Sequence, residues 1–399
     1  MTVASDAPTL LFGAFDRHNF GDLLFPHIAT ALLPGIRPIY AGLAERDLRA
    51  WGGQRVRAIA TFAKELGDRP VTLIHAGGEL LTCDAWQAAV MLSSPQEAQR
   101  LIARYDGKPS ERLAWAQTQL GLDDLAPYAV SRRLLPKAGR IVFNAVGGVD
   151  LDTCAPALRE EVLAKLKAAD AVSVRESRTL AHLGNAGITA RLAPDPAVMV
   201  AELFGETIRR HGARGEPARV RAAFPRGYLA VQFSADFGDD ATLLQIAGQL
   251  DQAAAESGLG IVLMRAGAAP WHDDLDVYRR LTGRMHAKVD IFRSLQVWDI
   301  CALLAASRGF CGSSLHGRIV AGAFARPHLS LLHAAHGDGP GKQAAYAATW
   351  DGPCRPAVTT PATLAEDLCA VLASDAAALG AWAGEMAARY RQAFHTLLG

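Results

Sequence analysis

Short, continuous apolar runs separated by helix-forming segments recur along the whole chain, and that alternation leaves few folds open. Runs at 9–12, 37–40, 71–75, 140–145, 171–174 and 190–192 read as strands in the first half, and 228–233, 261–264, 308–311 and 328–332 in the second. Strands that lack a polar alternation are buried on both faces, as in parallel sheets covered by helices. Intervening helices fit 158–169, 177–183, 242–256, 297–306 and 317–324. Between the two series, 205–227 is rich in Arg and Gly, holds Pro217 and Pro225 and has no apolar periodicity, so it reads as a linker. The expected division is an α/β domain over 1–204, the linker 205–227, a second α/β domain over 228–362 and an Ala-rich helical tail over 363–399. A chain of 399 residues is long enough for two such cores.

Charge narrows the partners. With 41 basic and 40 acidic residues the net charge is +1, so no overall field draws the chain to nucleic acid. Cys83, Cys154, Cys301, Cys311, Cys354 and Cys369 form neither a CxxC pair nor a Cys/His zinc spacing, and read as reduced thiols. His333, His336 and Asp338 crowd one Gly-rich loop, but their spacing is a weak metal pattern, so no metal and no cofactor are expected. The chain shows neither a secretory leader pattern nor an apolar run of membrane-spanning length, and a cytoplasmic protein is expected.

Ligands of parallel α/β sheets sit beyond the carboxyl ends of the strands, so polar residues just after each run are the first candidates. The most informative is Gly312-Ser313-Ser314-Leu315-His316-Gly317-Arg318, between a strand and a helix. A helix N-terminus favours an anion, and this one adds two hydroxyls, an imidazole and a guanidinium. After the first strand, Asp16, Arg17, His18 and Asn19 crowd one turn before Gly21 and Asp22, a set that suits a hydroxyl-bearing ligand or helix capping. Glu79 follows the pair Gly77-Gly78, and Gly147-Gly148 follow Asn144. Arg175 and Glu176 close another strand, with Glu176 a partner for Arg175 or a match to the helix dipole. Asp195, between Pro194 and Pro196, reads as a structural turn residue. In the second half Gln232 and Ser234 close the first strand, Arg265 the next, with His272, Asp273 and Asp274 shortly after, and Lys342 and Tyr346 follow the last strong run.

Taken in order, these clusters resemble the polysaccharide pyruvyl transferase family, from about residue 10 to 346. The resemblance rests on Asn19-x-Gly21-Asp22, Gly77-Gly78-Glu79, Val174-Arg175-Glu176-Ser177, Pro194-Asp195-Pro196 and Ser314-Leu315-His316-Gly317-Arg318, with Lys342 beyond. It implies a GT-B-like α/β fold of two facing Rossmann-like domains with an interdomain cleft. It implies phosphoenolpyruvate as donor, and a sugar or glycolipid acceptor whose two hydroxyls become a pyruvate ketal in polysaccharide or glycoconjugate biosynthesis, such as that of an exopolysaccharide. A lipid-linked acceptor would bring the enzyme to the inner membrane face. Arg175, Ser313, Ser314, Arg318, Lys342 and Gln232 are the expected donor-binding residues. His316 is the expected acid or phosphate ligand, Glu79 or Asp16 the base, and His18, Asn19 and Asp22 the acceptor side. Two departures stand out: Gln232 replaces an Arg common in relatives, and the Arg that usually precedes Leu-His is found instead at Arg318. The alternatives are a nucleotide-sugar glycosyltransferase of the same architecture and a non-catalytic protein that binds a phosphorylated ligand. The sequence leaves the oligomeric state open.

Overall fold

The computed structural model describes residues 7–333, 341–350 and 352–399. It divides into two compact units, Met1–Pro196 with Arg389–Gly399, and Ala197–Ala388.

The first unit is built on nine strands: β1 (Thr9–Phe12), β2 (Ile39–Gly42), β3 (Arg46–Asp47), β4 (Arg55–Ala58), β5 (Val71–His75), β6 (Gly78–Glu79), β7 (Ala138–Gly147), β8 (Ala171–Val174) and β9 (Arg191–Leu192). Their order is β3-β4-β2-β1-β5-β7-β8-β9, with β6 pairing β7, and every pair except β3–β4 is parallel. Leu10, Phe12, Leu73 and Phe143 are fully buried, which is why these strands carry no polar alternation. Each such side chain contributes about 2 kcal/mol relative to exposure. From β1 the chain steps to β2 on one side and later to β5 on the other. The turns after β1 and β5 therefore flank the point where strand order reverses, the usual position for a ligand in such sheets.

The second unit repeats the plan with β10 (Tyr228–Gln232), β11 (Gly260–Leu263), β12 (Val289–Ile291), β13 (Gly309–Gly312), β14 (His328–Leu331) and β15 (Val358–Thr359). All its pairs are parallel, in the order β12-β11-β10-β13-β14-β15. Leu229, Val231, Ile261, Leu263, Cys311 and Leu329 form its core. Here the reversal lies between β10 and β13, whose ends carry Gln232 and Gly312.

Two expectations are corrected. The stretch 205–227 is not a linker: it lies mostly within the helices Val200–Gly212 and Gly215–Ala223 of the second unit. Pro217 hid the second of these. Near a helix start a proline breaks no hydrogen bond, because the first N–H groups have no partner within the helix. The tail is not one element either. Helix Leu364–Leu372 belongs to the second unit, while the long helix Ala376–Leu398 is divided, its residues from Arg389 onward counting with the first. There Asn144 Nδ2 donates to Tyr390 Oη at 2.9 Å and Arg140 donates to the carbonyls of Leu397 and Leu398. Among the described residues no helix is long and apolar enough to cross a membrane, and the six cysteines are unpaired.

Candidate functional site

In the first unit the structure gathers Glu79, Arg175, Glu176 and Asp195. β6 carries Glu79 and the end of β8 carries Arg175, both alongside the last residues of β7. Arg175 is buried and donates from Nη2 to Glu79 Oε2 at 2.7 Å and from Nη1 to Asp195 Oδ2 at 3.0 Å. Glu176 Oε2 lies 3.9 Å from Arg175 Nε, and Glu176 Oε1 accepts from Thr179 Oγ1. Glu79 Oε1 accepts from Thr82 Oγ1 at 3.2 Å, and Glu79 is the partly exposed member of the set. Burial, aided by the charge of Glu79, holds the Glu176 carboxyl well above the usual carboxylate range despite Arg175 beside it.

Arg175 was expected to hold a donor anion. Its guanidinium contacts the carboxylates of Glu79 and Asp195 and lies near that of Glu176. Asp195, between its flanking prolines, is buried and pairs with Arg175. The Gly147-Gly148 pair also finds its reason. A Cβ on Gly147 would lie 2.7 and 2.8 Å from Arg175 Nε and Nη2, and closer still to Glu79 Oε2. Gly147→Ala is therefore expected to destabilise the protein by about 2 kcal/mol, read from urea unfolding, because a buried pair must move apart. An unchanged midpoint would show the cluster to be loose.

The turn after β1 is held by hydrogen bonds from distant parts of the chain. Asp16 is buried; its Oδ2 accepts from the N–H groups of Leu43 (2.5 Å) and Ala44 (3.1 Å), and its Oδ1 accepts from Tyr128 Oη at 2.9 Å. Both oxygens accept hydrogen bonds, so Asp16 ties the β1 turn to the turn after β2. Arg17 also donates to Tyr128 Oη. Asn19 is the N-cap of helix Phe20–Ala31, its Oδ1 accepting from Gly21 N at 3.2 Å. Asp22 is a buried first-turn acid, and a Cβ on Gly78 would sit 3.2 Å from its Oδ1. The ring of His18 meets the half-exposed Trp51 edge-on, with centroids 6.3 Å apart.

In the second unit the strand ends are joined by one hydrogen-bonded chain. Gln232, at the end of β10, accepts from Ser314 N at 2.7 Å and donates from Nε2 to Asp273 Oδ1 at 2.7 Å. Asp273 Oδ2 accepts from the N–H groups of Ala266 and Gly267 in the turn after β11. Burial pushes the Asp273 carboxyl up to about 7, against those hydrogen bonds and the nearby Arg265. Ser313 Oγ accepts from Ser234 N at 3.1 Å, while its carbonyl accepts from Gln343 Nε2.

Ser314 is the N-cap of helix Leu315–Ala323, its Oγ accepting from Gly317 N at 3.1 Å. His316 and Arg318 fall in that helix's first turns, and both are buried. Arg318 Nη1 donates to the carbonyl of Ala357 at 2.8 Å and to Ser330 Oγ at 3.3 Å, and it meets no carboxylate among the described residues. Burial pushes its pKa down to about 10. Lys342 is the exposed first residue of helix Lys342–Thr349, next to Gln343, which docks on Ser313. Gly312 and Gly317 serve packing, since a Cβ on either would collide with Gln232 or Phe310.

Of the expected residues, the structure brings Gln232, Ser313, Ser314, His316, Arg318 and Lys342 to one end of the second unit. Glu79 and Arg175 meet in the first, and Asp16, His18, Asn19 and Asp22 share the turn after β1. Sequence reading left Asp273 and Gln343 outside the site, although Asp273 follows a strand as the others do. The second unit's site offers a helix N-terminus, one buried and one exposed cation and an imidazole, a set suited to a compact anion and a proton transfer. Among the described residues no three His, Cys, Asp or Glu side chains could hold a metal ion. The His333 ring packs edge-on against Phe237, and His336 and Asp338 lie outside the described residues.

A family model described as polysaccharide pyruvyl transferase matches residues 19–334. A search of curated proteins finds no match. Solved structures are similar over nearly the whole chain. UDP-N-acetylglucosamine 2-epimerase from Rickettsia bellii has 9% identity and a TM-score of 0.58, covering 98% of this chain and 96% of that one. UDP-GlcNAc 2-epimerase from Neisseria meningitidis, solved bound to UDP-GlcNAc, has 11% identity and a TM-score of 0.53, covering 98% and 99%. The α,α-trehalose 6-phosphate synthase from Burkholderia multivorans has 14% identity and a TM-score of 0.52, covering 98% of each chain. At these identities the likeness is one of fold, and the fold is GT-B.

Proposed function

The chain belongs to the polysaccharide pyruvyl transferase family, and from that premise we propose that it transfers the enolpyruvyl group of phosphoenolpyruvate to two hydroxyls of a sugar acceptor, forming a pyruvate ketal. The observation that carries this reading is the anion-suited end of the second unit. Helix Leu315–Ala323 begins at the strand reversal with His316 and Arg318 in its first turns and Lys342 nearby. A three-carbon donor with a phosphate and a carboxylate needs several cations and N–H groups in a small volume.

In this mechanism Arg318, Lys342 and the helix N-terminus hold the donor. His316 gives a proton to the methylene carbon of phosphoenolpyruvate, leaving an oxocarbenium-like centre at C2. An acceptor hydroxyl adds there and gives up its proton to solvent. The C2–O bond to phosphate then breaks, and phosphate leaves with the electron pair. A second hydroxyl closes the ketal and gives up its proton, so donor and diol become ketal and inorganic phosphate. Gln232 orients the helix end through Ser314 N, with Asp273 fixing its amide.

That last role makes a prediction. In Asp273→Asn one side-chain atom becomes an N–H donor. It must face either the N–H groups of Ala266 and Gly267 or the Gln232 amide, and turning Gln232 over would set its NH2 against Ser314 N. The expected result is a KM for phosphoenolpyruvate raised about tenfold, from the loss of one charge-assisted hydrogen bond. An unchanged KM would remove Gln232 from the donor site.

The function is tested by phosphorus NMR of the purified protein with phosphoenolpyruvate and a panel of glycosides carrying adjacent free hydroxyls. Acceptor-dependent release of inorganic phosphate is expected. A second reading has support from the fold neighbours, one of which is solved bound to UDP-GlcNAc: a nucleotide-sugar glycosyltransferase using the helix N-terminus for a diphosphate. Release of UDP from a sugar nucleotide, with phosphoenolpyruvate untouched, would select it.

A further inference from the structure

One cation at the same edge of the second sheet has no place in the mechanism above. Arg265 emerges from the carboxyl end of β11, one residue after Met264, whose N–H binds the Val231 carbonyl at 2.9 Å and so aligns β11 with β10. Among the described residues its guanidinium makes no hydrogen bond and no ion pair. Its Nε is shielded from solvent and lacks an acceptor, although the side chain is only half-buried. Burial lowers its pKa, against the nearby charges of Asp273 and Asp274, neither of which touches it.

Asp273 is the obvious partner, and it is within electrostatic reach, yet its oxygens are given to Ala266 N, Gly267 N and Gln232 Nε2. The turn is not free to relax around the arginine. The carbonyl of His272 accepts from Ala235 N at 3.1 Å, pinning the turn to the segment after β10. A Cβ on Gly267 would lie 2.5 Å from His272 Cδ2. Through Asp273 and Gln232 this turn connects to Ser314, the cap of the anion-suited helix. Gln232 itself brings no charge to the strand reversal. A half-buried guanidinium with a shielded, unused Nε–H, beside a chain of fixed dipoles that ends at a helix N-terminus, is suited to an external oxyanion.

We propose that Arg265 is an anion ligand of this site, taking a phosphate or carboxylate oxygen of the donor and supplying the charge that Gln232 does not. The proposal rests on the donor site proposed above. Its test compares wild type, Arg265→Gln and Arg265→Lys by isothermal titration with phosphoenolpyruvate, alongside melting temperatures without ligand.

Arg265→Gln is expected to weaken binding at least about tenfold, with Arg265→Lys between it and wild type. The melting temperature of Arg265→Gln should be unchanged or higher, because the variant removes a charge without a partner. Equal affinity in wild type and Arg265→Gln would overturn the proposal. So would weaker binding accompanied by a lowered melting temperature in both variants, which would make the residue structural. If wild type binds UDP-GlcNAc and not phosphoenolpyruvate, the donor assignment falls. The same variants titrated with UDP-GlcNAc then decide Arg265: weakening in Arg265→Gln upholds the anion role and equal affinity ends it. Binding of neither compound by wild type would overturn both.

Discussion

His316→Ala is expected to lower turnover of phosphoenolpyruvate by about a thousandfold, the middle of the range for losing a general acid, while leaving the fold intact. The residue sits in the first turn of helix Leu315–Ala323, buried behind its cap Ser314. Nothing about capping requires an imidazole there: Ser314 Oγ already takes Gly317 N, and Gln232 takes Ser314 N. A merely packed histidine would show its loss as a lower melting temperature with activity reduced only in proportion to the unfolded fraction. A proton donor would show the reverse, a large fall in kcat at an unchanged melting temperature. His316→Gln separates the two further, since it retains size and one hydrogen-bonding group but cannot deliver a proton near neutral pH. Near-wild-type phosphate release by both folded variants would end the assignment.

Arg175→Met is expected to cost about 3–5 kcal/mol of stability at pH 7, the range for removing one partner of a buried ion pair. The guanidinium is in contact with Glu79 and Asp195 and close to Glu176, and the last two are buried. Without it, three carboxylates share a poorly solvated space, and the Glu176 carboxyl, already raised by burial, loses the neighbouring charge that lowers it and rises further above its unfolded value. A raised carboxyl pKa withdraws stability as pH rises through the folded value and restores it as pH falls toward the unfolded one. The deficit should therefore be full above neutrality and shrink as pH drops toward about 4, the unfolded carboxylate value. In wild type the same sign applies more weakly to Glu176, whose carboxyl burial already holds high. Urea unfolding across this pH range reads both effects. A loss below about 1 kcal/mol, with no pH dependence, would mean that Arg175 does not hold the cluster together.

The fold was largely legible because its strands are continuous apolar runs between recognisable helices. β1, β5 and β8 and the helix Val297–Ala306 lie where the apolar pattern puts them. β4 and β12 escaped notice because each is short and mixes charge with apolar residues, as in Arg55, Arg57 and Asp290. The helices of 200–223 were hidden by arginines and Pro217, a sequence that resembles a linker until its proline is placed near a helix start.

The site was legible as positions and less so as roles. Polar residues after strands did gather at the strand reversals, since topology alone brings them there. What each one touches depends on partners far away in sequence. Glu79 reaches Arg175 from 96 residues off, Tyr128 reaches Asp16 from 112, and Asp273 reaches Gln232 from 41. Such pairings leave no local mark, so the sequence does not show that Arg175 lies among carboxylates or that Asp16 accepts from N–H and O–H donors.

Isothermal titration of the purified wild-type protein with phosphoenolpyruvate tests the central claim most directly. Saturable binding at one site per chain is predicted, competed by inorganic phosphate and weakened in Arg318→Gln. Absence of any binding heat with phosphoenolpyruvate, together with saturable binding of UDP-GlcNAc, would contradict it.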